Sequence, residues 1–292
     1  MRPTNRQADK KPAFTIVEIL TVMSIIVILI TLLVPSLNMA KKYAKNVRQR
    51  AQFHSIDVAL DLFNADWQGY PPSDSNDETN AAYCGAMKLC EALMGQDLLG
   101  FNPNSRFRCD GMDGGTTSFY PPNPGIDNLK SRKGPYLQLE NANAYKLKYI
   151  YGKDQTGVFN ACGQEKFVLC DIYTNVMLRP DPLDATPIRG KSGMPILYYK
   201  ANTSKFGHDP NDPFNSIYNY NDNAALVSLG LPWENPPRTS AHPLTVQRFY
   251  LSTWDKKITT AYRPYRSDSY ILISAGYDGL YGTPDDVFNF GE

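Results

Sequence analysis

Between Ile19 and Val34 the chain runs for sixteen residues without a charged side chain, and the residue directly before that run is Glu18. A run of that length and composition suits a lipid interior or a fully buried helix. A carboxylate at its edge is expensive to leave in hydrocarbon, so Glu18 is a candidate functional residue and needs a compensating cation. Counted from Phe14 to Val34 the segment has 21 residues, about 32 Å as a helix, close to the hydrocarbon thickness of a bilayer.

Residues 1–13 are polar, contain two prolines and carry four basic side chains against one acid, so they read as a leader that is processed or disordered. An ordinary signal peptide would be cut after the apolar run, beside Pro35-Ser36-Leu37-Asn38-Met39-Ala40. Glu18 and the length of the run fit that poorly. Lys41, Lys42, Lys45, Arg48 and Arg50 follow the run and compete with the basic leader, so charge alone does not set orientation.

Pro35 removes a backbone donor and is expected to kink or loosen the helix. Beyond it Phe53, Ile56, Leu60, Phe63 and Trp67 recur at spacings of three and four, an apolar stripe that faces a core. Gln68-Gly69-Tyr70-Pro71-Pro72 ends the pattern. An unbroken helix from Phe14 to Asp66 would be about 80 Å long, with a lipid-compatible first half and a second half suited to a soluble domain. Ala82–Leu99 is a further expected helix, and the Gly-, Pro- and Asn-rich stretch 102–131 a long loop. From Gly134 onward the strand signals are Tyr145, Leu147, Tyr149 and Tyr151 in alternation, then Phe167–Leu169, Ile196–Tyr199 and Tyr270–Ile273. The expected fold class is α+β: a long N-terminal helical spine packed on a small antiparallel sheet. Its parts are a leader (1–13), a membrane helix (14–35), a soluble half-spine (36–72), a loop-rich insertion (73–135) and a sheet-bearing head (136–292).

The formal charge of the whole chain is +1, and without residues 1–13 the basic and acidic counts go from 30 and 29 to 26 and 28, near −2. No basic, aromatic-interleaved platform for nucleic acid is present. Five cysteines, Cys84, Cys90, Cys109, Cys162 and Cys170, are an odd number, so at least one stays free or pairs outside the chain. Cys84 and Cys90 fall on different faces of one helix and cannot bridge; Cys162 and Cys170 could staple a hairpin. The three histidines, His54, His208 and His242, stand beside no nucleophile motif, and no phosphate loop, dinucleotide fingerprint or HExxH occurs. Catalysis has no positive signal.

Near the C-terminus, Asp278, Asp285 and Asp286 lie on a Gly- and Pro-containing loop and offer hard oxygen ligands of the kind calcium prefers. The loop is not an EF-hand, because twelve-residue spacing from Asp278 would require an acid at Asn289. Solvated acids in Asx-type turns would give the same pattern.

Lys10-Lys11, Ala13, Phe14-Thr15-Ile16-Val17-Glu18, the apolar run and Pro35 together resemble the start of the type IV pilin and type II secretion pseudopilin superfamily. The resemblance is good over the first 70 residues, moderate over the last 25 and slight in the middle. It implies that a prepilin peptidase cuts between Ala13 and Phe14 and methylates the new amine of Phe14. Ala13 stands where the family usually has Gly. It also implies that Glu18 pairs with the N-terminal amine of a neighbouring subunit during assembly. The C-terminal loop looks like the calcium loop of the major pseudopilin, which implies calcium held by the Ala275 carbonyl, Asp278, Asp285 and Asp286, with the Thr283 carbonyl a further candidate. By resemblance the chain is a non-enzymatic structural subunit of a type II secretion pseudopilus, most like the major subunit. Its partners would be the peptidase, other pseudopilin subunits and an inner-membrane assembly platform, with the head in the periplasm. Two rivals are a type IV pilin of a motility or DNA-uptake fibre and a membrane-anchored periplasmic enzyme or binding protein. Pilin heads usually end in a disulfide-closed loop, whereas the last cysteine here is Cys170.

Overall fold

A computed structural model describes residues 15–152, 159, 161–179, 190–234, 240–260 and 262–291, with backbone alone at 161 and 162. The fold is α+β. The chain divides into two units, Met1–Ala44 and Lys45–Glu292. Helix α1, Ile16–Trp67, is assigned without a break through Pro35. Within the first unit its apolar side chains from Ile16 to Val34 are exposed, and the segment is long and apolar enough to cross a membrane, with a mean hydropathy of 2.8. The hydroxyls of Thr21, Ser24 and Thr31 donate to carbonyls three or four residues back (2.7–3.0 Å), so they add no unpaired donor to the apolar surface.

In the second unit α1 buries Gln49, Gln52, Phe53, Ile56, Ala59, Leu60 and Phe63, all on one face. It ends at Gln68, which adopts a left-handed conformation (φ 56°) ahead of Gly69 and the paired prolines. The other elements are α2 (Gly85–Met94), α3 (Ile126–Lys130), α4 (Leu139–Ala142), β1 (Ala144–Lys146), α5 (Leu147–Tyr151), α6 (Ala161–Gln164), β2 (Phe167–Leu169), β3 (Val176–Met177), β4 (Lys191–Ser192), β5 (Leu197–Lys200), α7 (Ala224–Val227), α8 (Val246–Thr253), β6 (Tyr270–Ser274) and β7 (Val287–Phe288). All pairings are antiparallel: β1 with β2, β3 with β4, and a three-stranded sheet in the order β5-β6-β7.

The β5–β6 ladder sets Tyr198 opposite Leu272 and Tyr199 opposite Ile271, and since side chains alternate along a strand the two pairs serve opposite faces. Tyr198, Tyr270 and Leu272 pack with Phe53, Ile56, Leu60 and Phe63 of α1 and Leu89 and Leu93 of α2. Tyr199, Ile271 and Ile273 pack with Leu147, Ile150 and Tyr151 of α5 and Phe249 and Tyr250 of α8. The α1 stripe therefore covers one face of the sheet, and complete burial of Ile56 and Leu60 stabilises it by roughly 1.5–3 kcal/mol for each side chain.

Several local expectations change. The expected helix 82–99 is shortened to Gly85–Met94, and all ten of its residues are buried, as suits a helix that is apolar on most sides. The 102–131 stretch contains α3 and is tied to α2 by Glu91, whose carboxylate accepts from Tyr83 OH (2.6 Å), Gln96 Nε2 (3.1 Å), Ser105 Oγ (2.5 Å) and Tyr120 OH (3.1 Å). The expected strand through Tyr145, Leu147, Tyr149 and Tyr151 ends at Lys146 and continues as helix α5. Ile150 breaks the alternation, and Leu147, Ile150 and Tyr151 follow the three-four spacing of a helix, which buries all five residues. The Cys162–Cys170 staple is corrected as well. Cys170 is a buried thiol; β2 pairs with β1 rather than with the 161–164 segment, which is helical, so the hairpin such a bridge would close is missing. Burial pushes the Cys84 thiol up to about 11 and raises Cys90 and Cys170 further.

Candidate functional site

Of the residues singled out at the N-terminus, Ala13 and Phe14 lie outside the described residues, and Pro35 sits inside α1. Glu18 is at the start of α1. Its Oε2 accepts from the Thr15 backbone N–H (2.8 Å) and Thr15 Oγ1 (2.8 Å), while Thr15 Oγ1 accepts from the Glu18 N–H (3.2 Å). This reciprocal pattern is a capping box: a threonine followed three residues later by a glutamate satisfies helix-end donors that would otherwise be orphaned. Thr15-Ile16-Val17-Glu18 spells that motif in the sequence. Glu18 thus has a local partner in the single chain.

The C-terminal acids form a second cluster. Strand β6 ends at Ser274, Ala275 is fully buried, and the chain turns through Gly276 (φ 67°) into the 277–286 loop. A side chain at Gly276 would put a Cβ 2.1 Å from the Asp285 carbonyl oxygen, so only glycine lets the two ends of the loop approach this closely. Asp285 closes the turn: Oδ2 accepts from the N–H groups of Tyr277 (2.8 Å) and Asp278 (3.0 Å), and Oδ1 from Thr283 Oγ1 (2.7 Å). Asp278 Oδ1 accepts from the Leu280 N–H (2.8 Å), and Asp286 Oδ2 from the Gly282 N–H (2.8 Å). Asp286 Oδ1 is buried without a hydrogen-bond partner among the described residues.

The electrostatics follow from that crowding. Burial first, and the Asp285 charge after it, raise the Asp278 carboxyl above its usual range. Burial, then Asp285 and Asp278, push Asp286 up to about 8. The orphaned Asp286 oxygen is a candidate ligand for a hard cation. In this arrangement Asp285 is committed to backbone and hydroxyl donors, and among the described residues no group of three or more His, Cys, Asp or Glu side chains is gathered as a metal cage. In the acidic 110–113 turn Arg108 holds Asp110 in a two-point ion pair (2.7 and 3.0 Å).

Beneath the loop lies a residue that sequence reasoning missed. Asp171 is fully buried; its Oδ1 accepts from the N–H groups of Tyr173 (3.2 Å) and Met194 (3.1 Å), and its Oδ2 from Ser274 Oγ (2.8 Å). Burial raises its carboxyl to about 7 against the pull of those hydrogen bonds. Gly193 is required here, since a Cβ would sit 2.0 Å from Asp171 Oδ1 and 2.1 Å from its carbonyl oxygen. His242 fixes the other side of the loop: Nδ1 accepts from the Tyr281 N–H (3.2 Å) and Nε2 faces the Gly230 carbonyl (3.1 Å). Tyr281 OH in turn donates to the Pro195 carbonyl. Burial depresses His242 to about 4, so the ring is neutral and a poor candidate for general acid chemistry. His54 is exposed on α1, and His208 is buried against Thr253 Oγ1 (3.0 Å).

No protein-family model matches this chain, and no curated protein or solved structure matches it significantly.

Proposed function

We propose that the chain is a membrane-anchored structural subunit of a pseudopilus of the type II secretion kind, assembled through its N-terminal helix. The observation that carries this reading is α1 itself: one helix, Ile16–Trp67, apolar and exposed along Ile19–Val34, whose later residues Phe53, Ile56, Leu60 and Phe63 are buried in an α+β core. An exposed apolar helix needs lipid or other helices around it. After cleavage between Ala13 and Phe14, the new amine would lie close to the acid of a neighbouring copy, and Glu18 would exchange its Thr15 partners for that cation. A buried carboxylate with one cationic partner fixes register, as polar residues do in coiled coils. The head would lie in the periplasm, and prepilin peptidase and an inner-membrane assembly platform would be the remaining partners.

In this reading the C-terminal loop holds calcium through the Ala275 carbonyl, Asp278, Asp285 and Asp286, with the Thr283 carbonyl as an additional donor. The orphaned Asp286 oxygen and the mutual repulsion of the acids support it. The ion would stabilise the native state by binding it alone. Asp171, Gly193 and His242 position the loop. In this reading the role is structural rather than catalytic, since His208 and His242 are buried with their imidazoles depressed well below the ordinary value.

Mass spectrometry of the N-terminus of the chain isolated from its own membrane tests the assignment. A mature chain beginning with methylated Phe14 is expected; a persistently intact leader would exclude the assembly route and favour a simple membrane-anchored binding protein.

A further inference from the structure

A cavity of about 470 Å³ opens between residues 72–74, the end of β5 and the 214–222 segment. It is separate from both clusters described above and within the size range of small-molecule sites. Asp222 lines it and is only 5% exposed. Asp222 Oδ2 accepts from Ser73 Oγ, which is itself held by the Lys200 N–H (3.0 Å). Asp222 Oδ1 has no hydrogen-bond partner among the described residues, so a buried carboxylate keeps one acceptor for whatever enters.

The surrounding groups are complementary donors. Asn202 uses its Oδ1 on the Ser204 N–H (3.1 Å) and Oγ (2.6 Å), and Asn219 uses its Oδ1 on the Asn221 N–H (3.0 Å), which leaves both amide NH2 groups unused. The Lys200 ammonium has no partner among the described residues. On the rim, Phe214 is 71% exposed. Asp74 and Lys200 also line the cavity, and the Lys88 Nζ lies 2.9 Å from the Asp74 and Asn76 carbonyls.

We propose that this cavity binds a neutral saccharide. Sugar hydroxyls donate and accept at once, so they match a carboxylate oxygen set among amide donors, and the apolar face of a sugar ring covers an exposed aromatic ring such as Phe214. A phosphate would meet two acids. A divalent cation would meet Lys200 in the cavity wall. Burial raises Asp222 to about 7, so near neutral pH its carboxyl serves either partner of a hydroxyl. The site does not depend on the filament reading.

The test uses the full chain in a sugar-free detergent, because alkyl glycosides would present the same chemistry. Maltose, cellobiose and chitobiose are titrated by calorimetry and ligand-observed NMR against the parent chain, Phe214→Ala and Asp222→Asn, with melting curves as a fold control. At least one disaccharide is expected to bind, and each substitution to weaken it about tenfold; the exposed Phe214 leaves that arm valid if Asp222→Asn unfolds. Binding by none of the three, binding unchanged by Phe214→Ala, or displacement of a bound disaccharide by putrescine or calcium would overturn the proposal.

Discussion

Ser274 Oγ donates to Asp171 Oδ2 at 2.8 Å and also accepts the Gly276 N–H at 3.2 Å, so a buried acid beyond β2 holds the last residue of β6 where the chain enters its acidic loop. The contact joins residues 103 positions apart. Asp171→Ala would strand the Ser274 hydroxyl and the Tyr173 and Met194 N–H groups in the core. A loss of about 3 kcal/mol is expected, measured by denaturant melts, with Asp171→Asn costing less. A change below a few tenths of a kcal/mol would show that the network is not a support.

Glu18 has two roles to separate, helix cap and charge partner. Glu18→Gln keeps an acceptor for Thr15 and removes the charge; Glu18→Ala removes both. Both variants are expected to insert in membranes and both to fail in filament incorporation, scored by cross-linking between copies. Normal incorporation of Glu18→Gln would leave only the cap.

If the 275–286 loop holds calcium, chelation lowers the melting temperature of fragment 45–292. At a calcium concentration a hundredfold above Kd the expected stabilisation is about 2.7 kcal/mol. Asp278→Ala and Asp286→Ala should melt at the same temperature with calcium and with chelator. An unchanged parent transition on chelation would remove the metal from the assignment.

Ile56 and Leu60 contact the Tyr198–Leu272 face of the sheet from the middle of the α1 stripe. Ile56→Ala or Leu60→Ala should each destabilise the 45–292 unit by about 2–5 kcal/mol, read from thermal or chemical unfolding. Val58 is 47% exposed, and Val58→Ala should change stability by less than about 0.5 kcal/mol.

Burial lowers His208 to about 3 in the fold from its ordinary value of 6.5. Between those values the unfolded chain binds a proton that the folded chain does not, so stability rises with pH across the window. The His208 contribution is fully present above about pH 6.5 and is lost as the pH falls towards 3. His208→Gln, compared with the parent by melting from pH 7 to pH 4, should flatten that acid limb; parallel curves would place the proton uptake elsewhere.

The sequence carried α1 well because burial of one face dictates its three-four spacing, and β2, β5 and β6 because their β-branched and aromatic runs are short and bounded by turn residues. Residues 147–151 misled because their tyrosines alternate while Ile150 sets the helical spacing. Helix α8 was overlooked although Thr245 caps it by accepting the Arg248 N–H (3.3 Å) and Phe249, Tyr250 and Thr253 share its buried face. The acids of the C-terminal loop were visible as a cluster. Their supports were not: Asp171 meets Ser274 across 103 positions and His242 meets Tyr281 across 39, and no local pattern encodes pairings of that reach.

The buried cysteines carry an experimental consequence. Alkylating reagents attack the thiolate, and in the folded chain Cys84, Cys90 and Cys170 are both enclosed and held in the thiol form. Each of these sulfurs can take up a maleimide only while its surroundings are open. The mass added over time therefore records how often that part of the molecule comes apart, giving the chain a covalent clock for its own unfolding without any introduced label site.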